Sequence, residues 1–258
     1  MKRFLSIALV LMAAVVMMST LAVAQTQTGT NQENQWQFEF TPYLWLSGIE
    51  GDVRSGRFSS GGAETSFSGL FQDLNASFMG AFEVRKGNLG VLLDTIYLNV
   101  SGTQNTPDSA IGEVETNLKV GLYSLAGTYR VVEKPLALDL LLGARYATLS
   151  ADLNVLPGKY PQILEGRSVS DSMNYWDGFA GMRALVPLSE NWSLMGYADF
   201  GGGGSNFTFQ GIAGINYQVS KYFVIKGGYR YIKIDADDSN FVYNVQLGGP
   251  YLGLGIRF

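Results

Sequence analysis

Thirteen charged residues fall where an alternating strand would turn them away from its apolar face. They are Glu39, Glu83, Arg85, Asp94, Arg130, Asp139, Arg145, Asp177, Arg183, Asp199, Lys226, Arg230 and Arg257. The chain contains no histidine and no cysteine. Ser-His and Cys-His nucleophile pairs and His proton shuttles therefore cannot be built. A carboxylate pair for glycoside hydrolysis fits the composition, but nothing in the spacing marks one. The sequence reads as a non-enzyme with no cofactor and no metal. Asp235-Ala236-Asp237-Asp238-Ser239-Asn240 resembles half of a calcium loop, yet it lacks that pattern's glycine and distal glutamate and reads as a solvated hairpin loop. What remains for the thirteen is pairing. Opposite charges inside a narrow wall must neutralise one another to offset desolvation. The expectation is a ladder of Arg–Asp/Glu pairs, acting either as an electrostatic core or as the lining of a narrow conduit for ions or small solutes.

These charges must be positioned by strands. Tyr251 to Phe258 places Leu252, Leu254, Ile256 and Phe258 on one face and Tyr251, Gly253, Gly255 and Arg257 on the other. Trp36, Phe38, Phe40, Pro42, Leu44 and Leu46 oppose Gln37, Glu39, Thr41 and Tyr43. Similar alternation runs through Asn75–Arg85, Leu136–Asn154 and Met173–Leu188; the segment from Leu89 to Ser101 alternates poorly and its register stays open. Ten strands are counted, with eight or twelve as alternatives. Short turns at Lys86-Gly87-Asn88, Glu133-Lys134-Pro135, Ser189-Glu190-Asn191 and Ser220-Lys221 alternate with longer connections at 54–74, 102–114, 156–172, Gly201–Asn206 and 235–240. That asymmetry, an even strand count and aromatic residues near strand ends, Trp36, Trp45, Trp176 and Trp192 among them, predict an all-β, antiparallel up-and-down transmembrane β-barrel. Arg or Lys facing lipid at the midplane would cost roughly 2–4 kcal/mol, which assigns the charges to the interior. Pro42 and Pro250 fall in the first and last strands, where each withholds an N–H from the closing ladder, as a bulge, a strand end or a weak seam that could open sideways. Residues 66–74 could form a short amphipathic helix, as a packed rim loop or a partial plug.

The first 24 residues read as a signal peptide. Lys2 and Arg3 precede an apolar stretch, and Ala22-Val23-Ala24 is a cleavage site before Gln25. Residues 25–34 read as a disordered periplasmic tail and 35–258 as the barrel domain. Removing Lys2 and Arg3 leaves 16 of the 18 bases against 22 acids, a balance that argues against nucleic-acid binding. No later segment has about 18 consecutive apolar residues, so no second membrane helix is expected.

Trp36 to Asp52 (W-x-F-x-F-T-P-Y-L-W-L-S-G-I-E-G-D), Phe78 to Gly87 (F-M-G-A-F-E-x-R-K-G) and the closing G-P-Y-L-G-L-G-I-R-F resemble small proteobacterial outer-membrane β-barrel proteins, relatives of the OmpA-, OmpW- and porin-like barrels. The resemblance implies an outer-membrane location with lipid and lipopolysaccharide as surroundings. It makes Leu252, Leu254, Ile256 and Phe258 similar to the signal read by the outer-membrane insertion machinery. It supplies no catalytic residues, and barrel enzymes of similar fold rely on histidine. The leading expectation is a structural or weakly porin-like outer-membrane protein. The alternatives are a binding or adhesion protein acting through its surface loops, and a soluble periplasmic barrel of lipocalin type, with apolar faces inward and charges outward.

Overall fold

The computed structural model describes residues 35–55, 58–60, 74–105, 111–157, 167–238 and 241–258. The signal peptide, the tail at 25–34 and most of the 66–74 segment lie outside the described residues. Twelve strands follow in order: β1 (Trp36–Trp45), β2 (Gly48–Ser55), β3 (Phe58–Ser60), β4 (Leu74–Lys86), β5 (Leu89–Asn105), β6 (Ile111–Val132), β7 (Ala137–Pro157), β8 (Arg167–Pro187), β9 (Trp192–Gly203), β10 (Phe207–Gln218), β11 (Phe223–Asp238) and β12 (Phe241–Arg257). From β4 to β12 each strand pairs with the next, and β1 pairs with both β4 and β12, which closes the sheet. β2 continues β1 along β12 in the same register, with Trp45 opposite Tyr251 and Gly48 opposite Gly248. β1 and β2 form one stave, β3 is a short hairpin arm on β2, and the closed antiparallel barrel has ten staves.

The break between β1 and β2 has a chemical cause. Pro250 has no N–H to give, although its carbonyl still accepts from Leu46 N at 2.9 Å. Gly249 beside it lies so close to the Leu46–Ser47 link that an added Cβ would stand 2.0 Å from the Leu46 oxygen. Pro42 is in register with Gly80, so both prolines sit inside a continuous wall.

Several boundaries differ from the sequence expectation, and the shifts of more than one residue are toward longer strands. The connection expected at 54–74 contains β3 and the start of β4; those at 102–114 and 156–172 are entered by β5, β6, β7 and β8. Gly201–Gly203 belong to β9, and Asp235–Asp238 pair with Asn244–Phe241, so the acidic run is strand rather than hairpin loop. Beyond the lipid zone both faces of a strand meet water or protein, and the alternation that marks its length fades.

The outer surface is apolar. Leu142 is 73 % exposed and Leu252 61 %, and Leu125, Met182, Leu194 and Ile225 complete the belt around the barrel. At the short-turn end Trp36, Trp192, Tyr222 and Phe258 are exposed, and the Phe38 and Phe258 rings stack across the closing ladder. At the long-connection end Tyr123, Tyr146 and Trp176 run side by side over β6, β7 and β8, and Phe200 packs on Phe207 and Phe209. Trp45 departs from the girdle expectation. It is 1 % exposed, points inward and donates its indole N–H to the Gly249 carbonyl at 3.2 Å.

Candidate functional site

The barrel interior has two layers of different chemistry. Near the short turns it is ionic. Arg183 of β8 donates to both oxygens of Glu83 on β4, at 2.6 and 2.7 Å, although β5, β6 and β7 stand between those strands in the wall. The same guanidinium reaches Asp139 of β7 at 2.7 Å. Asp139 also accepts from Arg130 at 2.8 Å and from Arg85 at 2.9 Å, so three guanidinium groups converge on one carboxylate that is 1 % exposed. Beside this cluster, Glu39 accepts from Lys226 and, at 2.7 Å, from Arg257.

Deeper in, Arg230 of β11 donates to Asp94 of β5, to Gln210 at 2.8 Å and to the Tyr43 hydroxyl at 2.6 Å. Tyr43 donates its own hydroxyl proton to Asp94 at 2.7 Å. Arg145 and Asp199 meet at 2.7 Å with both side chains wholly buried, and Ser124 and Tyr197 complete that group. Arg145 also lies over the Phe179 ring, 4.8 Å from its centre. Of the thirteen residues singled out by pattern, twelve pair with an opposite charge. Asp177 is the exception. Its neighbour in register is Arg145, but its carboxylate accepts from the Ser205 backbone N–H at 2.8 Å and the Ser205 hydroxyl at 2.7 Å, tying the β9–β10 turn to β8.

The poorly alternating segment acquires a register here. Leu89, Val91 and Leu93 of β5 point outward, while Leu92, Asp94 and Ile96 share the inner side. Above the ionic layer, toward the long connections, the interior turns apolar. Trp45, Met79, Ile96, Leu122, Ile232 and Val245 pack into one buried cluster, bordered by Tyr43, Leu98, Met173 and Tyr175. The sequence reading did not find this layer, although Ile232 shares its face with Arg230 and Ile96 with Asp94. Arg230 marks the boundary, with its guanidinium 5.4 Å from the Trp45 ring and 5.6 Å from the Tyr43 ring. Below that roof lies a cavity of about 130 Å³. Lys226, Arg183, Glu39 and Glu83 line it with Phe179, Met195 and Tyr197.

No family model and no curated protein matches the chain. Solved structures do. The outer membrane protease OmpT from Escherichia coli aligns with a TM-score of 0.51 at 11 % identity, over 91 % of this chain and 100 % of that one. A major outer membrane protein from Thermus thermophilus aligns at 0.39 with 16 % identity, over 86 % of this chain and 99 % of that one. The attachment invasion locus protein Ail of Yersinia pestis, in complex with sucrose octasulfate, aligns at 0.38 with 13 % identity, over 86 % and 98 %. At such identities the likeness is one of fold, and it is carried by the first of the three. The fold is that of an outer-membrane β-barrel: apolar outside, charged within, closed on itself. The lipocalin arrangement is reversed, since Asp139, Arg145 and Asp199 are inside and Leu142 and Leu252 are outside.

Proposed function

We propose that this chain is an integral outer-membrane barrel of structural type, closed toward the outside and open toward the periplasm, with short turns and both strand ends of the closing seam on the periplasmic side. One observation carries the reading: a buried apolar cluster around Trp45, built from β1, β4 to β7, β11 and β12, stands in the lumen above the ionic layer, with Trp45, Ile232 and Val245 all 2 % exposed or less. A lumen packed with side chains across its width leaves no hydrated path, because ions cannot shed water into an apolar zone without a large cost. At the opposite end the ionic layer is wetter; the Arg257 side chain is 42 % exposed and that of Lys226 22 %. The insertion-signal role of Leu252, Leu254, Ile256 and Phe258 belongs to the same reading, as does cleavage between Ala24 and Gln25. The protease activity of OmpT is not carried over: this chain has no histidine, and its buried carboxylates are held by arginines.

A second reading, binding through surface elements, draws on the uneven height of the wall. β6, β7 and β8 run 22, 21 and 21 residues, whereas β9 and β10 run 12 each. Of these, β8 rises past Trp176 and carries exposed Ser170, Ser172 and Asn174.

The native chain has no cysteine, so sided labelling tests the topology cleanly. Ser172→Cys should react with a bulky, membrane-impermeant maleimide on intact cells. Arg257→Cys should react only after the outer membrane is permeabilised. The reverse pattern, or recovery of the protein in the soluble periplasmic fraction, would overturn the reading.

A further inference from the structure

The ionic layer at the short-turn end is not neutral. Among the described residues, Arg85, Arg130, Arg183, Lys226 and Arg257 share only three carboxylates, those of Glu39, Glu83 and Asp139. Lys226 and Arg257 both lean on Glu39. The exposed turn residues at that end, Lys86, Glu133, Lys134, Glu190 and Lys221, do not cancel the excess, since bases outnumber acids there as well. Inside a barrel of low dielectric, an excess of two positive charges is weakly screened and raises the local concentration of anions.

Against this layer lies a cavity, lined by Lys226, Arg183 and Arg230 and by their partners Glu39, Glu83 and Asp94. Its volume of about 130 Å³ is near that of an engineered protein cavity of roughly 150 Å³ that takes up benzene. Lys226 and Arg183 stand on its wall, while Leu92, Phe179, Met195 and Ile212 give it apolar sides. Two further polar groups on the wall have no partner among the described residues: the Tyr251 hydroxyl, and Nε of Arg230, a residue 3 % exposed. A neighbouring layer with more bases than acids, apolar sides and donors left over at the roof form an arrangement suited to an anion that carries one ring's worth of apolar body.

We propose that this cavity binds a small organic anion, a monocyclic carboxylate of benzoate size, entering from the short-turn end. The carboxylate is held by Lys226 and Arg183 in the field of the layer's positive excess, and the ring lies against Phe179 and Met195 beneath Arg230. The inference rests on the reading of a lumen open only at that end. It goes further by naming an occupant.

The test is isothermal titration of the refolded protein in detergent with benzoate, inorganic phosphate and benzylamine. Saturable one-to-one binding of benzoate is expected, with phosphate weaker and benzylamine inert. Lys226→Met should weaken benzoate about tenfold or more, the factor that 1.4 kcal/mol represents. Arg257→Gln is the second variant should the first fail to fold, and heat-modifiable gel migration reports folding for both. Absence of saturable benzoate binding by folded protein would overturn the proposal, as would benzylamine binding equally well, or affinity unchanged in both variants. Phosphate binding as tightly as benzoate would overturn the organic part and leave a bare anion site. The sided cysteine labelling is independent of all these outcomes, so loss of the ligand and loss of the topology are told apart.

Discussion

Arg183 and Glu83 are joined by two hydrogen bonds of 2.6 and 2.7 Å across the inside of the barrel, from β8 to β4. Backbone ladders hold each stave only to its neighbours, whereas this bidentate pair ties staves that never touch in the wall. Asp139 anchors the same strut and takes two further arginines. Asp139→Asn should therefore cost more than Glu83→Gln, about 3–5 kcal/mol, as expected when a buried ion cluster loses its acceptor. Urea unfolding of the refolded protein in detergent measures both. Equal midpoints for the two variants would contradict the central place given to Asp139.

Arg145 and Asp199 isolate the energetics of a wholly buried pair. Asp199→Ala strands a guanidinium in the interior and should cost about 3–5 kcal/mol. The double variant Arg145→Met/Asp199→Leu removes both charges and should fall near wild type, or above it by about 1–4 kcal/mol. A double variant no better than the single one would mean that the pair contributes more than it costs to bury.

The closing seam depends on a close backbone approach. An added Cβ at Gly249 would stand 2.0 Å from the Leu46 oxygen, whereas one at Gly127 would find nothing nearer than 3.9 Å. Gly249→Ala should destabilise by about 1–3 kcal/mol through overpacking. Gly127→Ala should stay within about 0.5 kcal/mol of wild type. Heat-modifiable migration against temperature ranks the two, and a harmless Gly249→Ala would show that β1 and β12 pair less tightly than the structure has them.

The lipid belt makes its own prediction. Leu142 is 73 % exposed, and in water an exposed leucine exchanges for arginine at little cost. At the hydrophobic midplane the same change costs about 2–4 kcal/mol. Leu142→Arg should thus destabilise the protein folded into lipid vesicles by that amount, and a neutral effect would place β7 outside the bilayer.

Much of this architecture was legible in the chain because lipid on one side and protein on the other enforce a period of two. Leu138, Leu140 and Leu142 against Asp139, Leu141 and Arg145 gave the faces of β7 directly. The charged set was legible for the same reason, since a charge on the outer face is costly. Two features escaped. The outer ends of β5 to β8 run past the clear period-two stretches of the sequence, so the strands looked shorter than they are. The apolar layer escaped because isoleucine and tryptophan in a membrane protein suggest lipid contact, while Ile96, Ile232 and Trp45 face inward. Their signal was parity: each stands at an even spacing from an interior charge or tyrosine, Asp94, Arg230 or Tyr43. The Asp177–Ser205 contact left no such trace, because it joins a strand to a turn 28 residues away.

Trp45 is where the account is most exposed. It seals the boundary between the ionic and apolar layers, 1 % accessible and stacked near Arg230. The direct measurement is single-channel recording in planar bilayers of the native protein beside Trp45→Ala, with Trp45→Phe as the variant that keeps the packing. The account predicts no conductance steps for the native protein or Trp45→Phe at any voltage, and small steps for folded Trp45→Ala. Steady steps from the native protein would contradict a sealed lumen and return the barrel to the class of open pores.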